Sequence, residues 1–325
     1  MKAASLCYHD IVTAGHHHPS GFPGASADSY KLERSLVSEH FLRLAEDRRI
    51  FVGTTDDLLA GGDRTGLVLL TFDDGGISAV THTADLLEAH GWRGHFFITA
   101  NMIGEHGFVS ASDIRSLRGR GHLIGSHSWS HPLRISKCED AVLDEEWRRS
   151  VDCLNDILGE EVHIASVPGG FHSVRVARAA AAAGVRVLFN SEPVKTIEIV
   201  DRCLIAGRFS IQRHTSAAQA SALASPSATR EQVWQYGYWN LKKIVKITAG
   251  NAWLSLRESW WRRFGEEARS QRWAEPAKRM TGVAAEGLPH LSWLQRCVAS
   301  PTFGGLSIAK LVIACCGSAL GLSAC

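Results

Sequence analysis

The chain has 325 residues, enough for one large domain and an appendage. At 45% hydrophobic and 21% charged residues, its composition is that of an ordinary globular protein. The net charge of +2 gives no reason to expect a nucleic-acid partner.

Eight cysteines are present, none in a C-x-x-C pair, and their spacing fits no zinc ribbon. Cys7 and Cys153 fall inside apolar patterns and read as small core residues. The N-terminus, Met1 to Ser5, runs straight into a strand with no apolar signal region. Together these features lead us to expect a reducing, cytoplasmic location.

Residues 5–8 read as a short strand, with His9 and Asp10 just beyond it. Residues 14–29 form a loop in which His16, His17 and His18 read as solvated, and residues 31–48 read as a helix. The centre then alternates. Strands are expected at 67–72, 94–99, 122–126, 162–167, 185–189 and 208–212. Helices are expected at 78–90, 112–120, 139–158 and 173–183, with Ser110 or Ser112 as an N-cap and glycine stops at Gly91 and Gly184. About seven strand–helix units in alternation predict an α/β fold with a parallel, barrel-like sheet.

After His214 the character changes. Residues 215–230 are rich in Ser, Ala and Thr. Seven tryptophans then fall between 231 and 300, interleaved with Lys242, Lys243, Lys246, Arg257, Arg262 and Arg263. That mixture fits helices packed on the barrel. It also fits peripheral membrane contact through residues 234–263, at the inner face of the membrane. The last stretch, 306–325, is apolar but interrupted by Lys310, and reads as a loose or disordered tail rather than a spanning helix. We therefore divide the chain into a barrel at 1–215, a tryptophan-rich helical extension at 216–305 and a tail at 306–325.

Two motifs carry chemistry. Thr71-Phe72-Asp73-Asp74-Gly75 follows the apolar run 67–70, and His127-Ser128-Trp129-Ser130-His131 follows the run 122–126. One carboxylate and two imidazoles make a metal site with open positions for water and substrate. A second carboxylate beside it is free to act as a base. Each piece alone is weak, since an Asp pair after a strand is usually a turn or cap. Their placement after successive strands of an alternating chain makes the pair informative.

In these residues the sequence resembles the polysaccharide deacetylase family, also called the NodB homology domain or carbohydrate esterase family 4. TFDDG at 71–75 and HSWSH at 127–131 match its first two motifs. Val167-Pro168-Gly169-Gly170 resembles the third, and Ile211-Gln212-Arg213-His214 the last. Tyr8-His9-Asp10 is similar to the opening strand of many members. The resemblance covers roughly residues 1–215 and implies an irregular (β/α) barrel of seven or eight strands.

It also implies a mechanism. Asp74, His127 and His131 would hold a divalent metal, with zinc the leading choice, and Asp73 would be the general base. His214 would protonate the leaving amine. Pro168, Gly169, Gly170 and Arg208 would contact the substrate or its oxyanion, through a backbone N–H just after Pro168. His9 and Asp10 would be partners of a ligand histidine, or simply a strand-end turn.

Many members carry an arginine where this chain has Ser166, which leaves Arg208 or Arg213 to supply the charge that orients the base. The family's tryptophan-bearing loop has no match; residues 189–193 stand in its place. The implied substrate is an N-acetylated saccharide, polymeric or lipid-linked. Hydrolysis of an O-acetyl ester or another small amide, or saccharide binding without catalysis, are the alternatives.

Overall fold

The structure is a computed structural model, and it describes residues 1–14, 20–60, 65–132 and 134–241. The His16–His18 run, the extension from 242 onward and the apolar tail lie outside the described residues.

Eight short strands surround the core: β1 (Ala4–Tyr8), β2 (Leu67–Phe72), β3 (His95–Ile98), β4 (Leu123–Ser126), β5 (Ile164–Ser166), β6 (Val187–Phe189), β7 (Cys203–Ala206) and β8 (Phe209–Ser210). From β1 to β7 each pairs in parallel with the next. β8 then pairs in parallel with β1. Only Gly207 and Arg208 separate β7 from β8. One run of chain therefore bonds first to β6 and then to β1, and the two ends of the sheet meet at this seam. This is the parallel, barrel-like sheet that the alternation predicts, in the irregular (β/α) form that the resemblance implies.

The strands are nearly continuous apolar runs because a parallel sheet is covered on both faces. All six residues of β2 are buried. Helices cover the outside. Asp140–Leu158 turns Leu143, Trp147, Val151 and Leu154 inward at helical spacing and stops at Gly159, whose φ is 70°. Arg34–Glu46 buries Val37, His40, Phe41 and Leu44. Ser110, one of the two expected caps, accepts from the Asp113 N–H and closes a capping box on Ala111–Gly119.

The seam depends on a glycine. A Cβ on Gly207 would lie 2.2 Å from the Glu192 carbonyl oxygen. Without one, the 192–194 turn presses against the seam, and the Arg208 N–H donates to that same carbonyl at 2.8 Å.

Several elements differ from expectation, among them an unexpected strand at Phe51–Gly53 that pairs with β2. The helix expected at 78–90 begins as a wide π turn at Ala79–Thr83 before Ala84–Glu88. Strand β7 was not expected at all. It forms a tight hairpin with Glu198–Val200, turning through Asp201 and Arg202 at φ 46° and 68°. Neither turn residue is a glycine, so the sequence carries no hairpin punctuation there.

Beyond β8 the chain stays on the barrel. Helix Ala217–Ala224 packs against Arg34–Glu46. The Gln235 side chain brackets the Ser210 backbone, accepting from its N–H at 2.9 Å and donating to its carbonyl at 3.0 Å. Among the described residues no helix is long and apolar enough to cross a membrane.

Candidate functional site

Parallel strands present their C-terminal ends on one face, and chemistry-bearing residues gather there. His9 follows β1, Asp73 and Asp74 follow β2, His127 follows β4, Ser166 ends β5, and Arg208 sits in the seam.

The metal-type group is compact. One carboxylate oxygen of Asp74 and one ring nitrogen each from His127 and His131 lie within 4.8 Å of one another. The two Nε2 atoms stand 3.4 Å and 3.7 Å from Asp74 Oδ1. His127 is oriented by its other nitrogen: Nδ1–H donates to the Ser166 carbonyl at 2.9 Å, which turns Nε2 toward Asp74. His131 sits at φ 55°, on a loop where its N–H donates to Ser128 Oγ at 3.1 Å. Asp74 and Ser128 also have positive φ, at 76° and 62°. Three non-glycine residues in that region within one site mark strain held by the surrounding structure. The donor set and its spacing fit a divalent ion such as zinc.

Asp73 has a different environment. Arg208 meets it with both terminal nitrogens, at 2.7 Å and 2.8 Å. Ser166 Oγ donates to Oδ2 at 3.2 Å, and Arg208 also donates to Ser166 Oγ at 2.7 Å. Cys7 Sγ lies 3.6 Å from Oδ2. Burial raises the Asp73 pKa, but the Arg208 guanidinium, then His127 and His9, outweigh it and hold the carboxyl well below the usual carboxylate range. Asp74 is also held low. There burial is outweighed by the hydrogen bond and charge of His127 together with His9 and His131. For His127, burial is overcome by Asp73 and Asp74, and its pKa rises.

Of the two arginines that could supply the missing charge, the structure selects Arg208. It is 1% exposed and committed to Asp73, so it is not free to contact an oxyanion. At the third motif, the Gly170 N–H is spent on the Val167 carbonyl at 3.0 Å. Gly169, just after Pro168, is exposed at φ 58°.

His214 is not brought into the group. The chain leaves the barrel mouth after Ile211, the Gln212 N–H turns back to Thr215 Oγ1, and His214 is exposed to solvent. His9 occupies the site instead: with Cys7 and Asp73 it forms a second cluster of close donor atoms, and its charge acts on both aspartates. Asp10 bonds no histidine among the described residues. Its carboxylate accepts from Ser20 Oγ and Ser78 Oγ at 2.5 Å and 2.8 Å, and burial pushes its pKa up. The contacts from Cys7 and Ser166 to Asp73 were missed. Alternation along β1 was the available signal, because positions 7 and 9 share a face.

Residues 60–188 match the family model described as polysaccharide deacetylase. A chitin deacetylase of Colletotrichum lindemuthianum is 40% identical over 68 residues, 21% of this chain and 27% of that protein. The peptidoglycan-N-acetylmuramic acid deacetylase PdaA of Bacillus subtilis is 31% identical over 91 residues, 28% of this chain and 33% of that protein. The chain thus spans about a third or less of the length of these curated relatives. A polysaccharide deacetylase structure from Bacillus cereus shares the fold at a TM-score of 0.59 and 18% identity, over 69% of each chain. Residues 60–188, which hold Asp73, Asp74, His127 and His131, are thus similar to the polysaccharide deacetylase family.

Proposed function

We propose that this chain is a metal-dependent hydrolase that removes N-acetyl groups from amino sugars of a polysaccharide or a lipid-linked saccharide. The observation that carries this reading is the pairing of two carboxylates with opposite surroundings. Asp74 faces two imidazole nitrogens, and Asp73 is locked on Arg208.

Asp74, His127 and His131 are the ligands in this reading. A divalent ion, when bound, supplies Lewis acidity, making water more acidic and an amide carbonyl more electrophilic. Asp73 accepts the proton of the attacking water. Its Oδ1, bonded to Arg208 alone, keeps a lone-pair site for that proton, and its low pKa keeps it ionised at working pH. In this reading the N–H of Gly169, exposed just after Pro168, donates to the tetrahedral oxyanion. As the carbon–nitrogen bond breaks, the amine must receive a proton. We assign that step to His9, which lies among the reacting groups where His214 does not. The products are acetate and a free amino sugar.

The test is acetate release from a panel of N-acetylated and O-acetylated oligosaccharides, with metal content measured on the same sample. Turnover of the O-acetylated members alone would replace the amidase with an esterase. Metal binding with no turnover on any member would leave a binding protein.

We place the catalytic domain beyond residue 215, ending near Gln235, because the Ala217–Ala224 helix and Gln235 pack on the barrel. Peripheral membrane contact is a further part of the proposal. Val233, Trp234 and Tyr236 are exposed, Trp234 at 70%, immediately before Lys242, Lys243 and Lys246. Flotation with anionic and with neutral liposomes tests it; equal binding to both removes the electrostatic part.

A further inference from the structure

Catalytic histidines are commonly set by a hydrogen bond on the ring nitrogen that does not react. In this barrel His127 follows that pattern, through Nδ1 and the Ser166 carbonyl. His9 does not. Its Nδ1 is buried and has no hydrogen-bond partner among the described residues. The neighbouring carboxylate, Asp10, accepts from Ser20 and Ser78. What lies against the imidazole is the ring of Tyr30, with centroids 4.7 Å apart and planes 35° from parallel.

That contact is built by the backbone. Residues Ile11–Val12 pair in parallel with Leu32–Glu33, with Ile11 opposite Leu32. Two residues earlier in each run, the same register sets position 9 opposite position 30. The Leu32 N–H donates to the Asp10 carbonyl at 3.0 Å, which extends the pairing toward His9. The segment carrying Tyr30 is fastened on several sides. Ser20 Oγ donates to Asp10 and accepts from the Ser78 N–H at 2.9 Å. Lys31 pairs with Asp28 at 3.4 Å, and the Arg213 N–H donates to the Ser29 carbonyl at 2.8 Å. Tyr30 is therefore a fixed surface.

We propose that Tyr30 is a positioning residue for His9, holding the imidazole by its aromatic face in the place that a hydrogen-bonded carboxylate would take. The proposal rests on His9 as the proton donor to the leaving amine. An acid must lie within hydrogen-bond reach of that nitrogen as the carbon–nitrogen bond breaks. The tilted ring contact restricts the range of imidazole orientations, and its loss frees the ring to turn away from the leaving group.

The experiment compares Tyr30→Leu, Tyr30→Phe and His9→Ala with the parent, each as the full chain loaded with zinc. Two substrates are used: an N-acetylated chitooligosaccharide and para-nitrophenyl acetate, whose phenolate leaves without a proton. Tyr30→Leu should lower kcat on the amide by about 10- to 100-fold, the range a misplaced catalytic group costs. KM, zinc content and ester turnover should be unchanged, and Tyr30→Phe should behave as the parent on both substrates. Equal loss on amide and ester in Tyr30→Leu, or lost zinc, overturns the proposal in favour of a structural role. A Tyr30→Phe defect as large as that of Tyr30→Leu overturns it in favour of the hydroxyl. If His9→Ala does not separate amide from ester, the acid assignment fails. If His9→Ala separates them and Tyr30→Leu does not, only the positioning role fails.

Discussion

Asp73 and Asp74 are neighbours in the chain with the same side chain, and the fold gives them opposite surroundings. Asp73 is held by protein donors: two Arg208 nitrogens, Ser166 Oγ and the Cys7 thiol, three of them on Oδ2. Asp74 faces ring nitrogens, with His127 Nε2 and His131 Nε2 at 3.4 Å and 3.7 Å. A carboxylate held by fixed donors is oriented before substrate arrives. A carboxylate facing two imidazole nitrogens belongs to a donor set of the kind that suits a divalent ion. Adjacent residues after a strand point in different directions, and the φ of 76° at Asp74 sharpens that divergence.

The largest expected effect breaks the Asp74 side. His127→Ala or His131→Ala should abolish zinc binding and, with it, nearly all acetate release. Elemental analysis that still finds one equivalent of metal after both are removed would end the assignment. Next comes the Asp73 side. Asp73→Asn should retain zinc and lose about 10²–10⁴-fold in kcat, the usual worth of a general base. A variant with near-normal turnover would move the base elsewhere.

Arg208→Met tests the contrast from the partner's side. It leaves Asp73 buried without its counter-charge, a change that typically costs about 3–5 kcal/mol. Chemical denaturation should show this as a lower midpoint. The sign for pH follows from the shift. With Arg208 present the folded pKa is depressed, so the stability Asp73 contributes is present above the unfolded carboxyl's pKa and is lost as pH falls through the folded value. Without Arg208 burial acts with far less opposition, and the acid limb of both stability and turnover should move to higher pH. An unmoved acid limb would mean that the guanidinium does not set the charge of Asp73.

The smallest effect uses a histidine outside the site as a control. His95 is fully buried, with Nδ1 donating to the Leu70 carbonyl at 2.9 Å and Nε2 accepting from the Thr55 N–H at 3.0 Å. Burial lowers its pKa to about 4. Between that value and the ordinary 6.5 the unfolded chain binds a proton that the folded chain refuses. His95 should therefore remove up to about 3 kcal/mol as pH falls from 6.5 to 4, and nothing further below that. Denaturation midpoints across that range should flatten in His95→Gln, if the variant folds, and should be indifferent to chelator. A chelator-sensitive slope would tie His95 to the metal group and erase the distinction between saturated and open histidines.

The legible parts of the site were the local ones. Asp73 with Asp74, and His127 with His131, sit within five residues of each other after apolar runs, so motif and strand-end position are visible together. The long helices and most strands were equally legible, since Leu143, Trp147, Val151 and Leu154 declare a face by spacing alone. Strand β7 was not, because four apolar residues flanked by ordinary turn residues carry little periodic signal. His214 looked right by its place after the last strand. It failed because the chain turns at Gln212, and spacing does not report a turn made by a backbone-to-Thr215 bond.

The sequence by itself determined the alternating α/β architecture, the metal-type donor set and the second carboxylate beside it, because each depends on residues close together in the chain. Tertiary structure alone decided which arginine meets Asp73, which histidine joins its cluster, and which ring lies against that histidine. Arg208 lies 135 residues from Asp73, and His9 meets Tyr30 only through the register of two short parallel strands. Those choices are made where the seam between β7 and β8 closes the sheet. Burial there leaves a charged side chain a single stable partner, and no local pattern encodes a partner set by closure.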